Sequence, residues 1–219
     1  MIYFMPICEA ERMEVEYQAW LPLLPLARQE KLLRYRFTKD RWLCAAAYML
    51  LIYGLQEEYS LTADQIVMAI ADTGKPYLAS HPHIYFNLSH CASGVACGIS
   101  DAPMGIDVEV TSSVDHGVMK HVFTRAEQEI IVQSDNPSLT FTALWTLKES
   151  WVKAIGCGLS HSLCKVAVNL SPDKGLYINQ DGYEATFLDQ RNLCCISASW
   201  KIPTNNHISI YEVKSDMIL

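Results

Sequence analysis

IYFNLSHCASGVACGIS, residues 84–100, followed after Pro103 by MGIDVEV, residues 104–110, decides the architecture. The first segment carries two β-rich stretches, IYFNLSH and GVACGIS, around a turn of small and polar residues, which predicts a hairpin. The second predicts a further strand. Working outward toward the N-terminus, LARQEKLLRYR at 26–36 reads as a short basic helix and Phe37–Asp40 as a turn with N-cap candidates. Residues 41–58 then form an apolar helix, and MIYFM a short opening strand. Toward the C-terminus, TSSVDHG at 111–117 reads as a loop, 123–134 as a helix opened by Thr124, and 139–155 as the next strong helix. Lys165 to Glu212 holds three or four strands, with turns at Asp173-Lys174-Gly175, Asp181-Gly182 and Pro203 to Asn206.

Two short matches relate the halves of the chain. Phe37-Thr38-Lys39 recurs as Phe123-Thr124-Arg125, each ahead of a Trp-bearing helix (Trp42, Trp145), and ACGIS ending at Ser100 resembles CCISA from Cys194. A duplicated unit with a boundary near Pro103 follows, residues 1–103 and 104–219. Composition agrees, because 219 residues, half of them hydrophobic, suffice for one large or two small cores. With 17 Lys+Arg against 24 Asp+Glu the net charge is -7, so a general nucleic-acid binder is excluded and any phosphate must be held locally. The uncharged run Trp42 to Leu55, 14 residues, is below the roughly 20 needed to cross a bilayer, and the N-terminus has no basic n-region. Eight dispersed cysteines without a CxxC read as reduced core residues, consistent with the cytoplasm. Adjacent Cys194 and Cys195 point to opposite faces of a strand.

Several constellations could carry chemistry. Asp107 and Glu109 project from one face of a strand, about 7 Å apart at ~3.3 Å per residue, which suits Mg2+ or an ordinary solvated face. In the helix that follows, Phe141, Leu144, Trp145, Trp151, Val152 and Ile155 form one apolar stripe, and Lys148 falls inside it. A lysine there requires a carboxylate or phosphate nearby. Glu149 and Lys153, four apart beside the stripe, read as a surface ion pair or as something more. Gly74-Lys75-Pro76 presents a cation on a rigid turn, or simply an exposed turn lysine. Asn87-Leu88-Ser89-His90 offers donors for a phosphate nest. No GxSxG surrounds Ser89, and GxxxxGK[ST] and GxGxxG are both lacking. His81-Pro82-His83 reads as loop rather than a metal pair.

Taken in order, GKPYL, FNLSH, GIDVE and WTLKESWVKAIG resemble the signature of the 4′-phosphopantetheinyl transferases, in particular the larger pseudodimeric type that serves peptide and polyketide synthetases and so secondary metabolism. Ser150, Trp151 and Cys91 depart from the commoner residues of those motifs without removing a group the chemistry needs. The resemblance implies an α+β, α/β sandwich-like fold with pseudo-twofold duplication. Each half would be a small antiparallel sheet with a long packed helix, and coenzyme A would lie in the cleft between the halves. It implies that Asp107, Glu109 and Glu149 hold Mg2+, and that Glu149, directly or through water, takes the proton from a carrier serine. Lys153 would contact the pyrophosphate, and Arg41, Lys75, Asn87, Ser89 and His90 the nucleotide's phosphates and pocket, with Arg28 or Lys31 helping. The activity implied is Mg2+-dependent transfer of 4′-phosphopantetheine from coenzyme A to an apo acyl or peptidyl carrier protein by a monomer, the carrier meeting residues 111–135. The competing readings are a non-catalytic nucleotide- or carrier-binding module and a metal-dependent nucleotide phosphohydrolase.

Overall fold

The computed structural model describes residues 1–157, 163–191, 194–202 and 209–218. Leaving aside single 3-10 turns, the chain begins β1 (Ile2–Pro6), α1 (Ala10–Trp20), α2 (Leu26–Leu33), α3 (Thr38–Tyr59), β2 (Met68–Ile70), β3 (Pro76–Leu78), β4 (Tyr85–Cys91), β5 (Gly94–Ser100). The same order then recurs as β6 (Met104–Val110), α4 (His116–Val122), α5 (Arg125–Gln133), α6 (Pro137–Ile155), β7 (Asn169–Ser171), β8 (Gly175–Gln180), β9 (Tyr183–Arg191) and β10 (Cys194–Lys201). Pairing repeats with it. β1–β5–β4 form one antiparallel run and β6–β10–β9 another, and α3 and α6 are the long helices packed on them. The fold is α+β and internally duplicated. The halves differ in that β2 and β3 stand as a separate pair, whereas β7 and β8 extend the second sheet. A final strand, β11 (Ile210–Glu212), returns to pair in parallel with β1.

The ACGIS and CCISA matches fall on equivalent strands, β5 and β10. The Phe-Thr-Lys and Phe-Thr-Arg match does not mark equivalent positions, since it opens α3 in one half and α5 in the other. Thr124 caps α5 in a capping box with Glu127, whereas Thr38 lies inside α3 and its hydroxyl donates to Glu14 at 2.9 Å. Two helices are absent from the sequence reading. α1 buries Met13, Tyr17 and Trp20 against α3, and α4 is started by Asp115, which accepts from the N–H groups of Gly117 and Val118. The turn expected at Pro203 to Asn206 lies outside the described residues. None of the eight cysteines is in a disulfide.

Core packing explains the long helices. α3 is apolar on nearly every side because α1, α2 and the first sheet cover it. α6 buries Leu144, Leu147 and Trp151 at 0% exposure against the second sheet, while Trp145 and Ile155 reach its partly exposed edge. β6 lies directly on α6, for a Cβ at Gly105 would run into the backbone of Ser150, Lys153 and Ala154. That close approach carries the side chains of β6 on the same face, Asp107 and Glu109, toward α6. Among the described residues no helix is long and apolar enough to cross a membrane.

Candidate active site

The two sheets meet where β4 faces β6, and side chains make the junction. Asn87 Oδ1 accepts the Ile106 N–H at 2.9 Å and Ser89 Oγ accepts the Val108 N–H at 3.3 Å, so two of the three polar residues of FNLSH satisfy backbone donors of β6. Ser89 also donates to Asp107 Oδ1 at 3.0 Å. The same oxygen receives Lys153 Nζ at 2.6 Å, and that ammonium lies 3.0 Å from Ser89 Oγ. Lys153 is therefore paired with Asp107 and not with Glu149, one helical turn before it.

Asp107 is only 2% exposed, and its second oxygen, Oδ2, is buried with no hydrogen-bond partner. An unmet buried carboxylate oxygen costs roughly 1–3 kcal/mol or more. Glu109 and Glu149 share its field. Burial, then Asp107, then Glu149 push the Glu109 carboxyl up to about 7, against the pull of Lys153. Burial and Asp107 likewise raise Glu149, again opposed by Lys153. Among the described residues no three metal-binding side chains already converge on one ion position. The donor set nonetheless fits a hard divalent cation: an unpartnered carboxylate oxygen beside two carboxyls that repel it, with one lysine as the present counter-charge.

A prediction follows from these shifts. The folded value of Glu109 is above its ordinary 4.5, so the stability it contributes is complete below that value and is lost as pH rises through about 7. Without divalent ions the thermal midpoint of the wild type should fall between about pH 5.5 and 8 more than that of Glu109→Gln. Mg2+ should restore it at the higher pH, since metal replaces the proton. Equal falls in both proteins would contradict the assignment.

The remaining expected residues divide. The His90 imidazole has its pKa lowered by desolvation and by the charges of Lys153 and Lys31, against Asp40, so it stands in the positive edge of the site. The charge of Lys31, only a secondary candidate from the sequence, thus acts on His90. Arg41 is engaged elsewhere. Its Nε donates to the Tyr35 carbonyl at 2.9 Å, its guanidinium lies over Tyr17, and its charge acts on Glu14. Its neighbour Asp40 is the residue of the first turn of α3 whose charge acts on His90, and on a helix the next residue is turned about 100° away. Arg28 lies over the Tyr48 ring at 4.9 Å. Lys75 also departs from the expected phosphate contact and from the exposed turn lysine. Its ammonium donates to the carbonyls of Lys153 at 2.6 Å, Met104 at 2.9 Å and Ala154 at 3.0 Å, and burial pulls its pKa down to about 8.

Lys148 has the partner its position demands. It is 0% exposed and 2.7 Å from Glu127, with Val122 and Leu163 carbonyls completing its shell. Two clefts flank Glu149 and Glu109. One, about 280 Å³, is lined by Thr73, Gly74, Pro76, Asn87, Glu149 and Lys153. The other, about 290 Å³, is lined by Glu109, Val110, Val118, Phe141 and Trp145. Trp145, read from the sequence as core, is part of this second wall.

Comparison with known proteins agrees with this arrangement. Residues 103–210 match the family model for the 4′-phosphopantetheinyl transferase superfamily, and residues 11–99 match one for a 4′-phosphopantetheinyl transferase N-terminal region. The chain is 28% identical over 203 residues to the 4′-phosphopantetheinyl transferase Sfp of Bacillus subtilis strain 168, covering 92% of this chain and 87% of that one. A second Bacillus subtilis 4′-phosphopantetheinyl transferase is 30% identical over 165 residues, 74% of this chain and 73% of its own. The yeast L-aminoadipate-semialdehyde dehydrogenase-phosphopantetheinyl transferase is 26% identical over 176 residues, 74% of this chain and 65% of its own. Matches that run through both halves and include the strand and helix holding Asp107, Glu149 and Lys153 leave one conclusion: the chain belongs to the 4′-phosphopantetheinyl transferase superfamily and is an enzyme of that class.

Proposed function

We propose that this chain transfers 4′-phosphopantetheine from coenzyme A to a serine hydroxyl of an apo acyl or peptidyl carrier protein, with Mg2+, releasing adenosine 3′,5′-bisphosphate. The observation that carries the reading is buried Asp107, one oxygen held by Lys153 and Ser89 and the other without a partner, beside two carboxyls of raised proton affinity. Asp107, Glu109 and Glu149 would hold the ion, which when bound neutralises the pyrophosphate and polarises its reacting phosphorus. Glu149, whose carboxyl holds its proton more tightly than usual, accepts the proton of the carrier serine at near-neutral pH. Lys153, one helical turn after Glu149 and now on Asp107 Oδ1, would turn its ammonium to the departing bisphosphate. Lys31 adds positive charge on the nucleotide side, His90 offers its imidazole N–H there, and the Thr73–Pro76 turn with Asn87 shapes that cleft.

The two halves are assigned as 1–103 and 104–219. The repeated element order supports that boundary, as do the two family models, which end at 99 and begin at 103. The groove beside Glu109, walled by α4 and α6, faces the carrier, in keeping with residues 111–135 as its recognition surface. The protein works as a cytoplasmic monomer, since the duplication supplies both walls of its own cleft. Calorimetry with coenzyme A tests the reading against a binding module. Binding that strengthens at least about tenfold with Mg2+ is expected, whereas metal-independent binding without subsequent transfer would favour the module.

A further inference from the structure

Lys75 is a half-buried charge on the wall of the cleft beside Glu149 that the transfer chemistry leaves without a task. It sits at the end of a rigid hairpin turn, in which Gly74 N–H donates to Ala71 at 2.8 Å, Ala71 N–H donates to Lys75 at 3.0 Å, and Gly74 adopts φ of 84°. Its alkyl chain runs over Gly156, where a Cβ would lie 3.3 Å from Lys75 Cδ. Its three ammonium donors are matched by three carbonyls: Met104 at the start of β6, and Lys153 and Ala154 at the end of α6. Those last two belong to the final turn of a helix, whose carbonyls have no intrahelical partner, and a cation there also complements the helix dipole. α6 is thus capped from the first half of the chain.

We propose that Lys75 is a positioning residue, a staple from the β2–β3 turn that fixes the end of α6 against the start of β6 and thereby sets Lys153 and Glu149 relative to Asp107 and Glu109. The proposal rests on the transfer reading for its catalytic consequence. Its geometry is direct: the backbone carbonyl of Lys153 is held by Lys75 at 2.6 Å, while the side chain of the same residue reaches Asp107 at 2.6 Å. Met104 is three residues before Asp107 on the same strand. Loosening one end by about 1 Å is enough to lower turnover by orders of magnitude in a pre-organised site.

The test compares Lys75→Met and Lys75→Arg with the wild type. A methionine keeps the stem and removes the donors. An arginine keeps the charge, and with it phosphate pairing, but its planar fork cannot place three N–H groups on three carbonyls gathered around one point. Positioning predicts that both variants lose about tenfold or more in kcat at saturating coenzyme A and Mg2+, with KM for coenzyme A within about threefold of wild type. Full rescue by arginine, or a raised KM with unchanged kcat in the methionine variant, would make Lys75 a phosphate contact and overturn the proposal. Amide exchange across residues 153–157 is measured in parallel and should be faster in both variants. Unchanged exchange would overturn the staple itself. Absence of transfer by the wild type would instead overturn the transfer reading, and the exchange result then decides the staple alone.

Discussion

Replacing Asp107 by Asn is expected to lower phosphopantetheine transfer on the order of a thousandfold or more while leaving the metal-free protein as stable as the wild type at pH 8, or more so. Asp107 is the fully buried carboxylate of the site, and its Oδ2 is the oxygen without a partner. An asparagine can still meet Ser89 but removes the charge that a divalent ion requires. The stability side of the prediction comes from the neighbours, since Asp107 raises the proton affinity of both Glu109 and Glu149. Removing its charge relieves that repulsion, and Lys153, whose side chain is 30% exposed, can turn to water. Activity and stability therefore move in opposite directions, as at other strained functional sites. Steady-state transfer and thermal midpoints measure the two effects. Near-normal transfer, or a clear loss of stability, would contradict this view of the cluster.

The largest stability effect should come from Glu127→Leu. Lys148 and Glu127 are 0% and 2% exposed and 2.7 Å apart, and Glu127 also accepts the backbone N–H groups of Thr124 at 2.7 Å and Val168 at 2.9 Å. Burial pulls the Lys148 pKa down while Glu127 holds it up. Removing the carboxylate leaves an ammonium inside the core, at a cost of about 3–5 kcal/mol, a large share of the ~5–15 kcal/mol by which domains are stable. Glu127→Leu with Lys148→Met should recover much of that loss, because two apolar groups replace a pair that needed each other. Denaturation by urea gives the numbers. A single substitution costing under about 1 kcal/mol would show that the pair does not organise α5, α6 and the segment before β7.

What the sequence disclosed, and what it did not, follows the range of the interactions. The hairpin at 84–100, the strand at 104–110 and the helix ending at Ile155 rest on local periodicity, and all are present. That Lys148 needed an anion was legible from its place in an apolar stripe. Which anion was not, because Glu127 is 21 residues away, although the Thr124-x-x-Glu127 capping box placed an acid at a helix start facing it. Asp107 and Lys153 sit on a strand and a helix 46 residues apart, and their pairing depends on the approach at Gly105. The partners that Lys75 and Arg41 take were not legible, for a shared reason. Sequence supplies the charge of a side chain but not the direction it takes, and both cations turn to backbone carbonyls that exist only after folding. α4 was missed because its start, with Gly117 in the first turn, falls in the stretch that reads as loop and has weak helix propensity until Asp115 caps it.

The central claim is that the carboxylates and lysine between the two halves carry metal-dependent group transfer from coenzyme A. Its most direct test is the intact mass of a panel of apo carrier proteins after incubation with the protein and coenzyme A, with Mg2+ and with a chelator. At least one carrier should gain one phosphopantetheine on serine with Mg2+ and none with the chelator. No gain on any carrier beside a working control enzyme, or release of nucleotide with no carrier present, would contradict it.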